Sequence, residues 1–359
     1  MRRNAVRAGQ TIYDTRDEPD SRDRRDSGDT GPEEATSASW RGVTYSIITI
    51  VILFGVFVGS VIQMSGPGQR VGGSHTAANA AGAAALLQPK SPDIVATAGY
   101  IFDATTGAVF YSKDADQELP MASCTKVMTA LLAVENGKLD QWIKVGADAH
   151  ALVRPDSSYM GLDTGEILSL KDLLYGLIMP SGNDAAVAIA DGIGGTEAHF
   201  VDMMNARAVQ LGLTHTHFAN PHGLDAPNHY TSAHDLAVLS AVAMKNPTLV
   251  TIMSAYSYDI QKSSTHKAYH LRTGNDLLAR AGSPYPGAIG VKPGYTGPAG
   301  YCQSFAAIRH GHLLVGAVLH DPSWQVRRVD MRALLDWGFR QEGIPPAPPP
   351  VAGSTPPND

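Results

Sequence analysis

Cysteine is almost missing from this sequence: Cys124 and Cys302 are the only two in 359 residues. That excludes a disulfide-stapled scaffold and any cysteine-rich zinc module, and leaves room for one bridge at most. Charge is also sparse, at 17% of residues, with 28 Lys and Arg against 34 Asp and Glu and no long basic block. A net charge of −6 without clustered cations argues against nucleic acid as a partner, because that binding rests on neutralising phosphates. No internal repeat is found. What is present is a hydrophobic fraction of 43%, enough to bury a sizeable core in one large domain or two ordinary ones.

One long stretch carries no charge at all, from Val43 to Met64 (VTYSIITIVILFGVFVGSVIQM). At ~1.5 Å per residue such a helix spans a ~30 Å hydrocarbon core, so residues 42–64 are expected to cross a membrane once. Arg22, Arg24, Arg25 and Arg41 precede it, and the first stretch after it holds only Arg70. Counting Lys and Arg alone puts the N-terminus in the cytoplasm and everything after Met64 outside. A cleaved signal peptide has a short basic start and an apolar segment of about 7–15 residues, whereas both are long here. Residues 1–41 mix both charge signs with few apolar side chains and read as a disordered cytoplasmic head. Residues 65–90, rich in Gly, Ala, Ser and Pro, read as a flexible linker, and 344–359 as a Pro-rich disordered tail.

Residues 91–343 carry the signals of an ordered domain. TAGYIFDA and AVFYSKD flank Thr105-Thr106-Gly107 and predict a β-hairpin. A helix is expected after Pro120 and capped at Gly137. Further helices run from Ser169 to Met179 with Ser169 and Asp172 as a capping pair, from Asp184 to Ile193, from Thr196 to Leu211, and from Ser232 to Lys245, stopped by Pro247. YCQSFAAIRHGHLLVGAVLH predicts paired strands, and QVRRVDMRALLDWGF a closing amphipathic helix. Strands that flank the helices, without alternating with them, indicate an α+β domain: an antiparallel sheet flanked by helices, with a mostly helical subdomain.

Three short segments then stand out together: Ser123-Cys124-Thr125-Lys126, Ser181-Gly182-Asn183 and Lys292-Pro293-Gly294. On a helix, positions three apart share a face, so the first places a hydroxyl beside an amine. A lysine can serve as the base for that hydroxyl only if desolvation or a nearby cation lowers its pKa from ~10.4, which requires a partly closed cleft. The second segment follows a helix ended at Pro180 and can aim another hydroxyl and an amide into that cleft. The third offers a cation that could hold a carboxylate. Singly, each is an ordinary helix start or surface turn. In this order, with helix, loop and strand contexts, they match the S-x-x-K, S-x-N and K-T-G trio.

On these residues the chain resembles the D-alanyl-D-alanine carboxypeptidases, low-molecular-mass penicillin-binding proteins of the β-lactamase/transpeptidase-like fold. PMASCTKVMTALLAVE, SSYMGLDTGEILSLKDLLYGLIMPSGNDAAVAIA, FVDMMNARAVQLGLTHTHFANPHGLD, HYTSAHDLA, NDLL, GVKPGYTGPAGYC and LLDWGF resemble family blocks in family order. The resemblance implies that Ser123 attacks the bond between two D-alanines, Lys126 takes its proton, Ser181 relays a proton to the leaving amine, and Asn183 orients substrate and Lys126. Lys292 would attract the terminal carboxylate, beside Gly294, and the Ser123 and Tyr295 N–H groups would form the oxyanion hole. The family usually has Thr where this chain has Pro293, which removes a hydroxyl and an N–H. Thr296 or Arg327 is expected to take over that contact.

The implied substrate is a peptidoglycan stem peptide and the implied covalent inhibitors are β-lactams. The implied location is the outer face of a bacterial plasma membrane, with no metal and no other cofactor. A β-lactamase, or a penicillin-binding sensor that acylates without turnover, are the alternative readings. His215, His217, His222, His229 and His234 lie close in sequence without an H-E-x-x-H run, so loop and cap roles are expected of them over metal binding. Cys124 and Cys302 are expected to be free thiols.

Overall fold

The computed structural model of the chain describes residues 90–278 and 284–349. The expected spanning segment at 42–64, the head, and the linker up to 89 lie outside them. Among the described residues no single helix is long and apolar enough to cross a membrane.

The expected hairpin forms as β1 (Ala98–Asp103) and β2 (Val109–Lys113). Its turn is held by the Asp103 carboxylate, which accepts from the Thr105 and Thr106 N–H groups, and by Gly107 at φ +79°. A 3-10 turn at Ala122–Thr125 leads into α1 (Lys126–Asn136), followed by β3 (Trp142–Lys144), α2 (Ala147–His150) and β4 (Ile167–Ser169). The helical middle contains α3 (Leu170–Ile178), α4 (Asn183–Gly194), α5 (Glu197–Gln210), α6 (Ala233–Ala243) and α7 (Pro247–Ser254). Side chains of Ser169, Thr196 and Ser232 accept from backbone N–H groups three residues on, so α3, α5 and α6 start where the sequence places them.

Pro247 does more than follow the end of a helix. The helix from Ser232 already ends at Ala243, and Pro247 begins another, whose N-cap Asn246 accepts from the Thr248 and Leu249 N–H groups. A proline has no N–H to leave unpaired in a first turn, so it starts a helix as readily as it stops one. The short pair β5 (Ser257–Ile260) and β6 (Tyr269–Arg272) follows, then β7 (Ala288–Thr296), β8 (Gly300–Arg309), β9 (His312–Asp321) and α8 (Trp324–Gln341).

The main sheet is antiparallel in the order β2-β1-β9-β8-β7, which leaves β7 at an edge. Alternate residues point to opposite faces. Ala98, Tyr100, Ala306, Val315, Ala317 and Leu319 join the core shared with α1 and α6. Ile101, Phe305, Ala307, Leu314 and Val318 join a second core with Met331, Leu334, Leu335 and Phe339 of α8. Both faces are covered, which is why β8 and β9 read as continuous apolar runs. The expected disordered tail is corrected at its start. Ile344 and Ala347 are buried in the second core, and the Pro345 and Pro348 carbonyls accept from Arg309 and Arg332. Prolines donate nothing but keep their acceptors, so paired arginines can hold such a segment.

Where β9 meets α8, the carboxyls of Asp321 and Asp330 are buried near one another, and neither Asp321 oxygen has a hydrogen-bond partner among the described residues. Asp330 also accepts from the Val95 and Ala96 N–H groups. Burial, then Asp330, pushes the Asp321 carboxyl up to about 8. The unfolded chain releases that proton near ~3.9, so the stabilisation is complete at low pH and is lost as pH rises toward the folded value. Asp321→Asn keeps the shape and removes the titrating proton. Thermal melts are expected to show the variant gaining stability relative to wild type between pH 5 and pH 9; a difference constant across that range contradicts the assignment.

Candidate active site

The site begins at the 3-10 turn. Ser123 lies within it and Lys126 is the first residue of α1, so the two are not on one regular helix as expected. Three residues per 3-10 turn nevertheless stack positions i and i+3, and Lys126 Nζ lies 2.9 Å from Ser123 Oγ. The amine also meets Asn183 Oδ1 at 2.7 Å and the His222 carbonyl oxygen at 2.5 Å. Lys126 is wholly buried, and burial first, then the nearby Lys292 cation, hold its pKa well below the ordinary lysine range. An amide oxygen and a carbonyl oxygen can only accept, so when the amine is neutral they take its two N–H bonds. Its lone pair is then left facing the Ser123 hydroxyl.

The turn is strained and braced. Ala122 sits at φ +47°, where a side chain is disfavoured. Its carbonyl accepts from Thr125 Oγ1 at 2.8 Å, and Thr125 Oγ1 lies 2.7 Å from His229 Nε2. The Ala219 N–H donates to His229 Nδ1 at 2.9 Å, which leaves the ring proton on Nε2 to donate to Thr125. Burial keeps this imidazole neutral, with its pKa lowered to about 4. Gly223, at φ +92°, presses on the same turn, where a Cβ would stand 2.1 Å from the Ala122 oxygen.

Asn183 opens α4 after a loop in which Ser181 holds φ +64°. The Ser181 Oγ is buried and has no hydrogen-bond partner among the described residues. Asn183 Nδ2 donates to Ser157 Oγ at 2.8 Å, which fixes Oδ1 toward Lys126. The neighbouring Asp184 accepts from the Met160, Gly161 and Leu162 N–H groups and ties that stretch to the loop.

On the other side β7 comes close. The Cys124 thiol donates to the Lys292 carbonyl, and a Cβ on Gly294 would stand 2.9 Å from the Ser123 nitrogen, so bare backbone is required there. Lys292 is buried, and its Nζ donates to the Pro293 carbonyl at 3.0 Å. Burial, opposed by the Cys124 thiol and helped by the Arg327 guanidinium, lowers its pKa to about 8. The Tyr295 ring is exposed and packs on Tyr301 with centroids 4.3 Å apart.

Ser123, Lys126 and Asn183 thus bond directly, with Lys292 and Gly294 brought against the same turn. Thr296 and Arg327 stand apart from this set: Thr296 donates to Asp225 Oδ1 at 2.8 Å, and Arg327 pairs with Asp276 and donates to the Cys302 carbonyl. The Thr296 hydroxyl is thus already engaged, while Arg327 Nε has no partner among the described residues. Both cysteines are buried and free, and burial raises the Cys124 thiol to about 11 and Cys302 further. Sequence reasoning missed Ser157, Asp184, the His222 carbonyl and His229. Only Asp184, next to Asn183 in the first turn of α4, carried a local signal.

The sequence profile of the D-alanyl-D-alanine carboxypeptidase family matches residues 85–323. A D-alanyl-D-alanine carboxypeptidase of Bacillus subtilis is 35% identical over 249 residues, 68% of this chain and 62% of that one. One from Streptomyces sp. strain K15 is 35% identical over 278 residues, 74% of this chain and 95% of that one. The crystal structure of the Streptomyces K15 DD-transpeptidase matches with a TM-score of 0.66 at 33% identity, covering 70% of this chain and 100% of that one. The chain spans a little under two thirds of the Bacillus relative. With its three motifs gathered at one turn and its profile matched from 85 to 323, the chain belongs to the D-alanyl-D-alanine carboxypeptidase family.

Proposed function

We propose that this protein is a serine-type D-Ala-D-Ala carboxypeptidase that removes the terminal D-alanine from peptidoglycan stem peptides through an acyl-enzyme on Ser123. The observation that carries the reading is the buried Lys126 amine, 2.9 Å from Ser123 Oγ and held there by two acceptor-only partners. Lys126 takes the proton as Ser123 Oγ attacks the penultimate carbonyl, and the Ser123 and Tyr295 N–H groups stabilise the oxyanion. The buried Ser181 hydroxyl, without a hydrogen-bond partner among the described residues, relays that proton from Lys126 to the departing D-alanine amine, which leaves Lys126 neutral again. Water then opens the ester, with Lys126 as base. Lys292 attracts the terminal carboxylate and, second to burial, lowers the Lys126 pKa by its charge. β-Lactams acylate the same hydroxyl.

The uncharged run at 43–64 and the arginines before it support a single-pass anchor in a bacterial plasma membrane, with the catalytic domain outside where stem peptides are found. The test is D-alanine release from a peptide ending in D-Ala-D-Ala, alongside labelling with a fluorescent penicillin. Wild type is expected to do both and Ser123→Ala neither. Stable labelling of wild type without D-alanine release would instead select the sensor reading.

A further inference from the structure

Arg327, in the first turn of α8, is a buried cation placed close behind the cleft. Its Nη1 donates to the Cys302 carbonyl at 3.3 Å, and Cys302 stands opposite Gly294 in the β7–β8 ladder, where Gly294 abuts the Ser123 nitrogen. The guanidinium also lies 5.8 Å from the centre of the Tyr301 ring, which packs on the exposed Tyr295. Its charge is near enough to help lower Lys292. Yet Nη2 is already bound to the carboxylate of Asp276, with the side chains 6% and 20% exposed, and the buried Nε has no partner among the described residues.

Asp276 is held there by its own segment. The adjoining Asn275 accepts from Gln303 Nε2 at 2.8 Å and from the Leu277 N–H at 3.0 Å, and its own N–H donates to Thr273 Oγ1 at 3.2 Å. Gln303 lies wholly buried in β8. A carboxylate is therefore anchored on a guanidinium that binds β8 opposite Gly294, behind a strand where Pro293 offers neither hydroxyl nor N–H to an incoming anion.

We propose that Asp276 is a resident carboxylate that competes with the substrate's terminal carboxylate for Arg327, and so sets how tightly carboxylate-ended ligands are held. The inference rests on the carboxypeptidase reading above. A guanidinium accepts a carboxylate through parallel N–H donors, and one cannot serve two such anions at full strength. With Asp276 in place, Lys292 carries most of the attraction. Without its charge, Arg327 Nη2 and Nε become donors for the incoming anion.

Asp276→Asn keeps the shape and removes the charge. KM for a peptide ending in D-Ala-D-Ala is expected to fall about three- to tenfold, the size of one partly screened charge-assisted bond, with kcat within about twofold of wild type. Asp276→Glu, which keeps the charge, is expected to restore the wild-type KM. The double variant Asp276→Asn with Arg327→Gln is expected to lose the gain. Asp276→Ser is read in the same way should the asparagine variant fail to fold, with folding checked by thermal melts. An unchanged or higher KM in a folded Asn or Ser variant overturns the inference while wild type still releases D-alanine. Absence of D-alanine release from wild type overturns the carboxypeptidase reading and takes this inference with it.

Discussion

Replacing Lys126 by methionine is expected to slow acylation of Ser123 by a penicillin about 10²–10⁴-fold, the usual contribution of a positioned general base. Methionine preserves most of the stem's volume in a fully buried position, so the loss reports the amine and not a cavity. Two acceptors, Asn183 Oδ1 and the His222 carbonyl, lose their donor, which destabilises. Against this, the fold no longer has to desolvate an amine. The two effects oppose, and the melting temperature is expected to move far less than the rate. Stopped-flow acylation together with thermal melts separates them. A variant acylated at the wild-type rate would remove Lys126 from the chemistry.

Lys292→Met is expected to lower kcat/KM for a D-Ala-D-Ala peptide about 10- to 100-fold, as one charged hydrogen bond to the terminal carboxylate is lost. The pH profile carries the sharper signature. In wild type Lys292 loses its proton near 8, so kcat/KM is expected to decline above that pH as the carboxylate site loses its charge. The variant has no such alkaline limb. Its acid limb moves the other way. Lys292 is a cause of the lowered Lys126 pKa, second to burial, so removing it raises that pKa and shifts the acid limb to higher pH. A profile that only drops in height, with both limbs in place, contradicts the charge coupling.

What the sequence could convey was local. Ser169 with Asp172, Thr196 and Ser232 sit three residues from the N–H groups they cap, so the starts of three helices were readable from spacing alone. The order S-x-x-K, S-x-N, K-P-G was also readable, because residue types and order survive without coordinates. Partners chosen by tertiary packing were not. The His222 carbonyl reaches Lys126 from 96 positions away, and any residue there would offer a carbonyl. Ser157 reaches Asn183 from 26 positions away, across a loop with no distinctive pattern. The pairing of Arg327 with Asp276 spans 51 positions, and no local spacing announces it. The helix that opens at Pro247 was not readable, because a proline marks a helix boundary without saying on which side a helix lies.

The account stands on an uncharged Lys126, and that protonation state can be read directly. An NMR titration of isotope-labelled lysine side chains, with Lys126 assigned from the signal missing in Lys126→Met, measures it without substrate. The expected result is a titration well below the ~10.4 of an ordinary lysine, moving upward in Lys292→Met. A Lys126 signal that titrates in the ordinary range, or does not respond to Lys292→Met, would contradict it.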